Sequence, residues 1–202
     1  MMLEMLTGLG LASAAGLNAY IPLLALGLLD RFTSFVELPG GWAWLANEWT
    51  LIIVGVLAVV EIVADKVPVI DSINDTIQTF IRPTAGGIVF GAGTSAQTLP
   101  IENPADFFTS NAWIPVAIGV VVALVTHLTK STTRAAATAV AAGTASPALS
   151  VGEDAVSVGL SAAAIFAPLI VILVLAVGIF LGWWITRSFT RRRKRAADAT
   201  IE

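Results

Sequence analysis

The chain has 202 residues, 56% of them apolar and 12% charged, with a formal net charge of −3 and a mean hydropathy of +0.86. Soluble domains carry about 25% charged residues, so an ordinary soluble fold is excluded. The absence of cysteine and the single histidine, His127, remove disulfides, thiolate metal sites and cysteine nucleophiles.

Apolar runs at residues 3–29, 49–64, 84–99, 113–128, 135–149 and 155–186 match the need for about 20 mostly apolar residues per spanning helix. The expectation is an all-α polytopic bundle of about six transmembrane segments. The first run lacks a basic leader and is too long for a signal core, so it is read as a retained span. Within it Asn18 stands one turn before Pro22. A proline there frees the carbonyl a turn earlier, which leaves two readings for Asn18: a polar cavity lining, or a kink closed by an interhelical hydrogen bond. Residues 39–49 read as an outer loop with a short interfacial helix.

Glu61 lies near the end of the second span, and an ionisable group at mid-span costs about 2.5–3.5 kcal/mol. It is expected to face protein or water. From Pro68 the residues sort by face: Asp71, Asp75, Gln78 and Arg82 form one stripe at i, i+4, i+7 and i+11, and Ile70, Ile73, Ile77, Phe80 and Ile81 fall largely opposite. This predicts an amphipathic helix on the cytoplasmic side. Its acids either face water or, with Asp65, converge on a cation, since Asp65, Asp71 and Asp75 could hold Mg²⁺ and through it a phosphate headgroup. Mg²⁺ enters only under that enzymatic alternative; otherwise no cofactor is expected.

The third and fifth runs, 84–99 and 135–149, are short and rich in Ala, Gly, Thr and Ser, so they either cross fully or re-enter. Gly86, Gly87, Gly91 and Gly93 suit close helix packing. Residues 49–99 and 113–149 share the order apolar span, basic turn, small-residue span, and read as a duplicated hairpin within one transmembrane domain, 1–186. His127, Lys130 and Arg134 supply the second basic turn; His127 and Glu61 would form a proton-sensitive pair if they met. The last run is long for one span, and Pro168 predicts a kink. The acids Glu153 and Asp154 would be stabilised by the dipole at its start.

Threading six spans from a cytoplasmic N-terminus puts Lys66, Arg82, Lys130, Arg134, Arg187 and the cluster 191–195 inside, ten basic residues against Arg31 alone outside. This obeys the positive-inside rule. The outer segments hold Asp30, Glu37, Glu48, Glu102, Asp106, Glu153 and Asp154. Trp42, Trp44, Trp49 and Trp113 fall at the outer boundary and Trp183 and Trp184 at the inner one. The tail 187–202 is then cytoplasmic, its basic run suited to anionic lipid rather than nucleic acid. The expected partners are membrane lipids and an unidentified solute, and a homo-oligomer is compatible with the sequence.

The segments GLNAYIPLL, ADKVPVIDSINDTIQTFIRPTAGG and SPALSVGEDAVS resemble the bacterial integral membrane proteins of domain of unknown function family 4126, over most of residues 1–186. The resemblance implies the bacterial inner membrane and supplies no activity or site residue. Three functions are weighed. A transporter, channel or flippase would use Asn18, Glu61, Arg82, His127 and Arg134 as its pathway. A Mg²⁺-dependent lipid-phosphate enzyme would use Asp65, Asp71 and Asp75. A membrane assembly protein would do no chemistry.

Overall fold

The computed structural model describes residues 2–66, 68–94, 111–140, 146–180 and 187, leaving aside the side chains at 68–73, 136, 138–140 and 146. Among them there is no strand. The α-helices are α1 Met2–Leu17, α2 Tyr20–Phe32, α3 Glu48–Ala64, α4 Pro68–Thr94, α5 Trp113–Val140, α6 Ser146–Phe166 and α7 Pro168–Phe180, with a 3₁₀ turn at Ala43–Ala46. Stretches Trp113–Ala135 of α5 and Pro147–Phe166 of α6 are long and apolar enough to cross a bilayer.

The first apolar run is not one helix. Asn18 and Ala19 interrupt it, because an asparagine side chain competes with the backbone for hydrogen bonds and Pro22 is accommodated only in the first turn of a new helix. α1 runs antiparallel to α4: a Cβ on Gly8 would meet Phe90 and Thr94, while Leu17 at its other end meets Lys130. α2 returns the way α1 came. Tyr20, at its start, lies beside Gln78, and Gly27, near its end, lies against Leu45 and Leu51. A cavity of about 210 Å³ is lined by Leu3 and Thr7 of α1, Leu26 of α2 and residues Phe35 to Leu38. α1 and α2 are therefore a helical hairpin whose two outer ends share one end of the molecule, the tryptophan end with Trp42 and Trp49, and whose tip is Asn18.

Helices α3 to α6 alternate between the two ends. α4 and α5 pack closely antiparallel, with Gly86 against Ala123 and Gly119, and Gly87 against Val116 and Val120. Here a missing Cβ is what lets the backbones approach. α6 runs antiparallel to α1, with the Ser157 hydroxyl donating to Ala14 O at 3.0 Å and Ala164 abutting Gly10. At Ala167 the chain bends, as Pro168 predicts, so that Ala164 and Val171 both touch Gly10.

Other segment boundaries differ from expectation too. The amphipathic segment and the third run form one 27-residue helix, α4, with Pro83 inside it. The second basic turn lies inside α5. The fifth run is shared between the end of α5 and the start of α6, and Glu153 and Asp154 contact Lys130, Arg134 and Lys66 instead of lying in an outer loop. The tail beyond 187 and both inner tryptophans lie outside the described residues.

The packing is inverted relative to a water-soluble protein. Ile53, Val56, Val59, Val60, Val63 and Phe80 are exposed, whereas Glu61, Asp65, Gln78, Arg82, His127, Lys130 and Arg134 are buried. Charged residues are almost never fully buried in soluble proteins unless paired. On α4, Gln78 and Arg82 of the stripe thus point inward, Asp75 is partly exposed, and Ile77 and Phe80 of the apolar face point outward.

Candidate functional site

The hairpin tip is held by side chains that satisfy both helix ends. Asn18 Oδ1 accepts from the backbone N–H groups of Tyr20 and Ile21 at 3.1 and 3.2 Å, capping α2, and Asn18 Nδ2 donates to Asp154 Oδ1 at 2.9 Å. Lys130 Nζ donates to Leu17 O at 2.9 Å, at the carbonyl end of α1. A carboxylate near a helix N-terminus and an ammonium at a C-terminus both follow the helix dipole. Asn18 therefore closes the break by an interhelical hydrogen bond, one of the two sequence readings, and stands beside a polar centre.

That centre is assembled from four helices whose polar residues repeat at helical spacing: Glu61 and Asp65 on α3, Asp75, Gln78, Thr79 and Arg82 on α4, His127, Lys130, Ser131 and Arg134 on α5, and Glu153 and Asp154 on α6. Arg82 is the hub, and its side chain is 0% exposed. Its Nε and Nη2 donate to Glu61 Oε1 at 3.3 and 2.9 Å. Asp65 Oδ2 and Asp75 Oδ1 lie 3.7 and 3.6 Å away. Its Nη1 is 3.0 Å from His127 Nδ1. A guanidinium can only donate, so His127 Nδ1 accepts and the ring is the neutral tautomer with hydrogen on Nε2. This assignment follows from the network. Nε2 lies 3.0 Å from Thr79 Oγ1, which donates in turn to Asp75 O.

A second layer surrounds Asp65. Its Oδ1 accepts from Asn74 at 2.7 Å, and its Oδ2 is 3.5 Å from Lys130 and 3.9 Å from Arg134. Lys130 reaches Glu153 at 3.0 Å, and Arg134 reaches Glu153 at 3.4 Å and Asp65 O at 3.0 Å. Asp75 Oδ2 accepts from Ser131 at 2.8 Å. Asp75, Glu153 and Asp154 are 28, 16 and 17% exposed, whereas Glu61 is 1% exposed. The network therefore runs from a dry interior to an accessible rim.

Asn18, Glu61, Arg82, His127 and Arg134, the expected pathway residues, are thus brought into one site. Glu61 and His127 do not pair directly; Arg82 stands between them. Asp65 and Asp75 both flank the Arg82 guanidinium; among the described residues no group of three His, Cys, Asp or Glu side chains is placed to hold a metal ion. The side chain of Asp71 lies outside the described residues. Sequence reasoning missed Glu153, Asp154 and Gln78 as members. A signal was available, because Ser150, Asp154, Ser157 and Ser161 repeat the spacing of the α4 stripe, and Ser150, Ser157 and Ser161 are buried.

Chemically the site holds no activated nucleophile among these residues. It brings together five carboxylates, four cationic side chains (Lys66, Arg82, Lys130 and Arg134) and a neutral imidazole. A family model described as Domain of unknown function (DUF4126) matches residues 5–188. No curated protein and no solved structure matches the chain.

Proposed function

Because the chain belongs to the DUF4126 family, whose description names no activity, its function is read from its own site, and we propose that it is a small transport protein of the bacterial inner membrane that carries an ion or small charged solute. The observation that carries the reading is the ionic centre at the tip of a broken helix pair. Discontinuous helices whose ends meet charged groups at membrane depth are how many transporters bind substrate and coupling ion. Intramembrane ionisable residues also cost too much to be kept as filler.

The proposed placement puts the tryptophan end at the outer surface and the Lys66, Lys130 and Arg134 end at the cytoplasm, in keeping with the positive-inside rule. α3 to α6 cross, and the charge of the basic tail assigns it to the cytoplasmic side. α1 and α2 enter and leave by the outer face; they are about 24 and 20 Å long at helical rise, against a hydrocarbon core of about 30 Å. This topology places the N-terminus outside, unlike the six-span threading.

The test is electrical. The full chain, reconstituted in liposomes on a capacitive support, should give protein-dependent transient currents on jumps in H⁺, Na⁺ or a panel of small organic ions. Arg82→Gln should reduce the responding current at least tenfold. Currents no larger than those of empty liposomes across the whole panel would refute transport and favour the assembly reading.

A further inference from the structure

Two acceptor oxygens in the core of the centre have no donor: Glu61 Oε2 and Gln78 Oε1. Their residues are 1 and 2% exposed, and an unsatisfied buried polar group costs about 1–3 kcal/mol. Both residues are grouped around Arg82 and Tyr20. Gln78 sits one turn before Arg82 on α4, Arg82 grips Glu61, and Tyr20 of α2 lies beside Gln78 and within electrostatic reach of Glu61. The contact with Arg82 is one-sided. An ionised carboxylate facing a guanidinium is usually held as a fork, one donor to each oxygen. Here Nε and Nη2 both point to Oε1, and Oε2 is left bare.

A single hydrogen resolves both orphans. We propose that Glu61 is a carboxylic acid whose Oε2–H donates to Gln78 Oε1, and that this proton is the ion the protein couples to. Glu61 then remains an acceptor for Arg82 through Oε1, as a protonated carboxyl can. The groups facing it are Tyr20 from α2, Asp65 from α3 itself, Gln78 and Arg82 from α4 and Lys130 from α5; His127 is reached only through Arg82. Loss of the proton to water leaves a carboxylate that can take Arg82 on both oxygens. That would draw the guanidinium from His127 and Asp75 and repartition the rim acids, Asp75 among them. The protonation itself stands independently of the transport reading, whereas its role as coupling ion rests on it.

Infrared difference spectra of the purified full chain in nanodiscs, across a pH titration, test the proposal without any transport assay. The expected result is a protonated-carboxyl stretch present at neutral pH, lost in Glu61→Gln and retained in Asp65→Asn. Gln78→Met, which leaves Glu61 in place, should move that band to higher frequency as its hydrogen bond is lost. A neutral-pH spectrum with carboxylate bands alone, or a protonated band that survives Glu61→Gln or ignores Gln78→Met, overturns the inference. Failure of the liposome currents with this band present removes the transport reading and leaves the buried acid standing.

Discussion

Arg82→Ala is expected to cost the fold about 3–5 kcal/mol, the usual penalty for removing one partner from a buried ion pair. The guanidinium is fully buried and serves Glu61, Asp65, Asp75 and His127 at once. Its loss strands Glu61, Asp65 and His127, all of them buried. Arg82→Lys should recover part of the stability, since an ammonium keeps the charge but cannot present the planar fork. Arg82→Met combined with Glu61→Leu should be less damaging than Arg82→Met alone, because Glu61 Oε1 is then not left buried without a donor. Denaturation midpoints of detergent-purified variants read all three. A loss below about 1 kcal/mol, the range of exposed ion pairs, would mean that water enters the centre freely.

The second large effect is steric. A Cβ at Gly86 would overlap Ala123 Cβ, and one at Gly119 would overlap Gly86 O. Gly86→Ala and Gly119→Ala should each destabilise by about 1–3 kcal/mol through overpacking. Both lie close to the centre: Arg82 is one turn from Gly86 and His127 one turn from Ala123. Separating α4 from α5 should therefore break the 3.0 Å Arg82–His127 contact and reduce transport current along with stability. Gly55→Ala and Gly159→Ala, where a new Cβ meets nothing within 4 Å, should be neutral or slightly stabilising, as alanine exceeds glycine by about 0.5–1 kcal/mol in a helix. Equal losses at all four positions would argue against a packed α4–α5 seam.

Much of this architecture was legible in the residues. Helical content, long apolar stretches, the break signal at Asn18–Pro22 and the kink at Pro168 all follow from local chemistry. What stayed hidden was direction. A run such as 3–29 fits one long span or two returning halves equally well, since hydropathy carries no sense of heading. The stripe Asp71, Asp75, Gln78 and Arg82 has the same periodicity whether it faces water or the interior of a membrane bundle, and only packing separates the two.

The candidate site was legible as a set of awkward residues rather than as a network. Glu61 and His127 drew attention because charge at membrane depth must be satisfied. Their common partner Arg82 is 21 and 45 positions away, a relation that no local pattern encodes. Glu153 and Asp154 were misplaced for a related reason. The Ala-rich segment before them looked long enough to cross, which carried them to the wrong end of the molecule. In the structure the two acids meet Lys130, Arg134 and Asn18, and their apparent role as dipole partners becomes a tertiary one.

The hairpin formed by α1 and α2 underlies the placement of every group in the centre, and its geometry has a direct readout because the chain carries no cysteine of its own. Single cysteines at Met2, Gly40 and Arg187, probed with a membrane-impermeant thiol reagent on intact cells and on inverted vesicles, report which positions share a side. A returning hairpin predicts that positions 2 and 40 react together from one side and 187 from the other. Reaction of position 2 together with 187, and of 40 opposite both, would show that residues 3–29 cross as one span and would contradict the account.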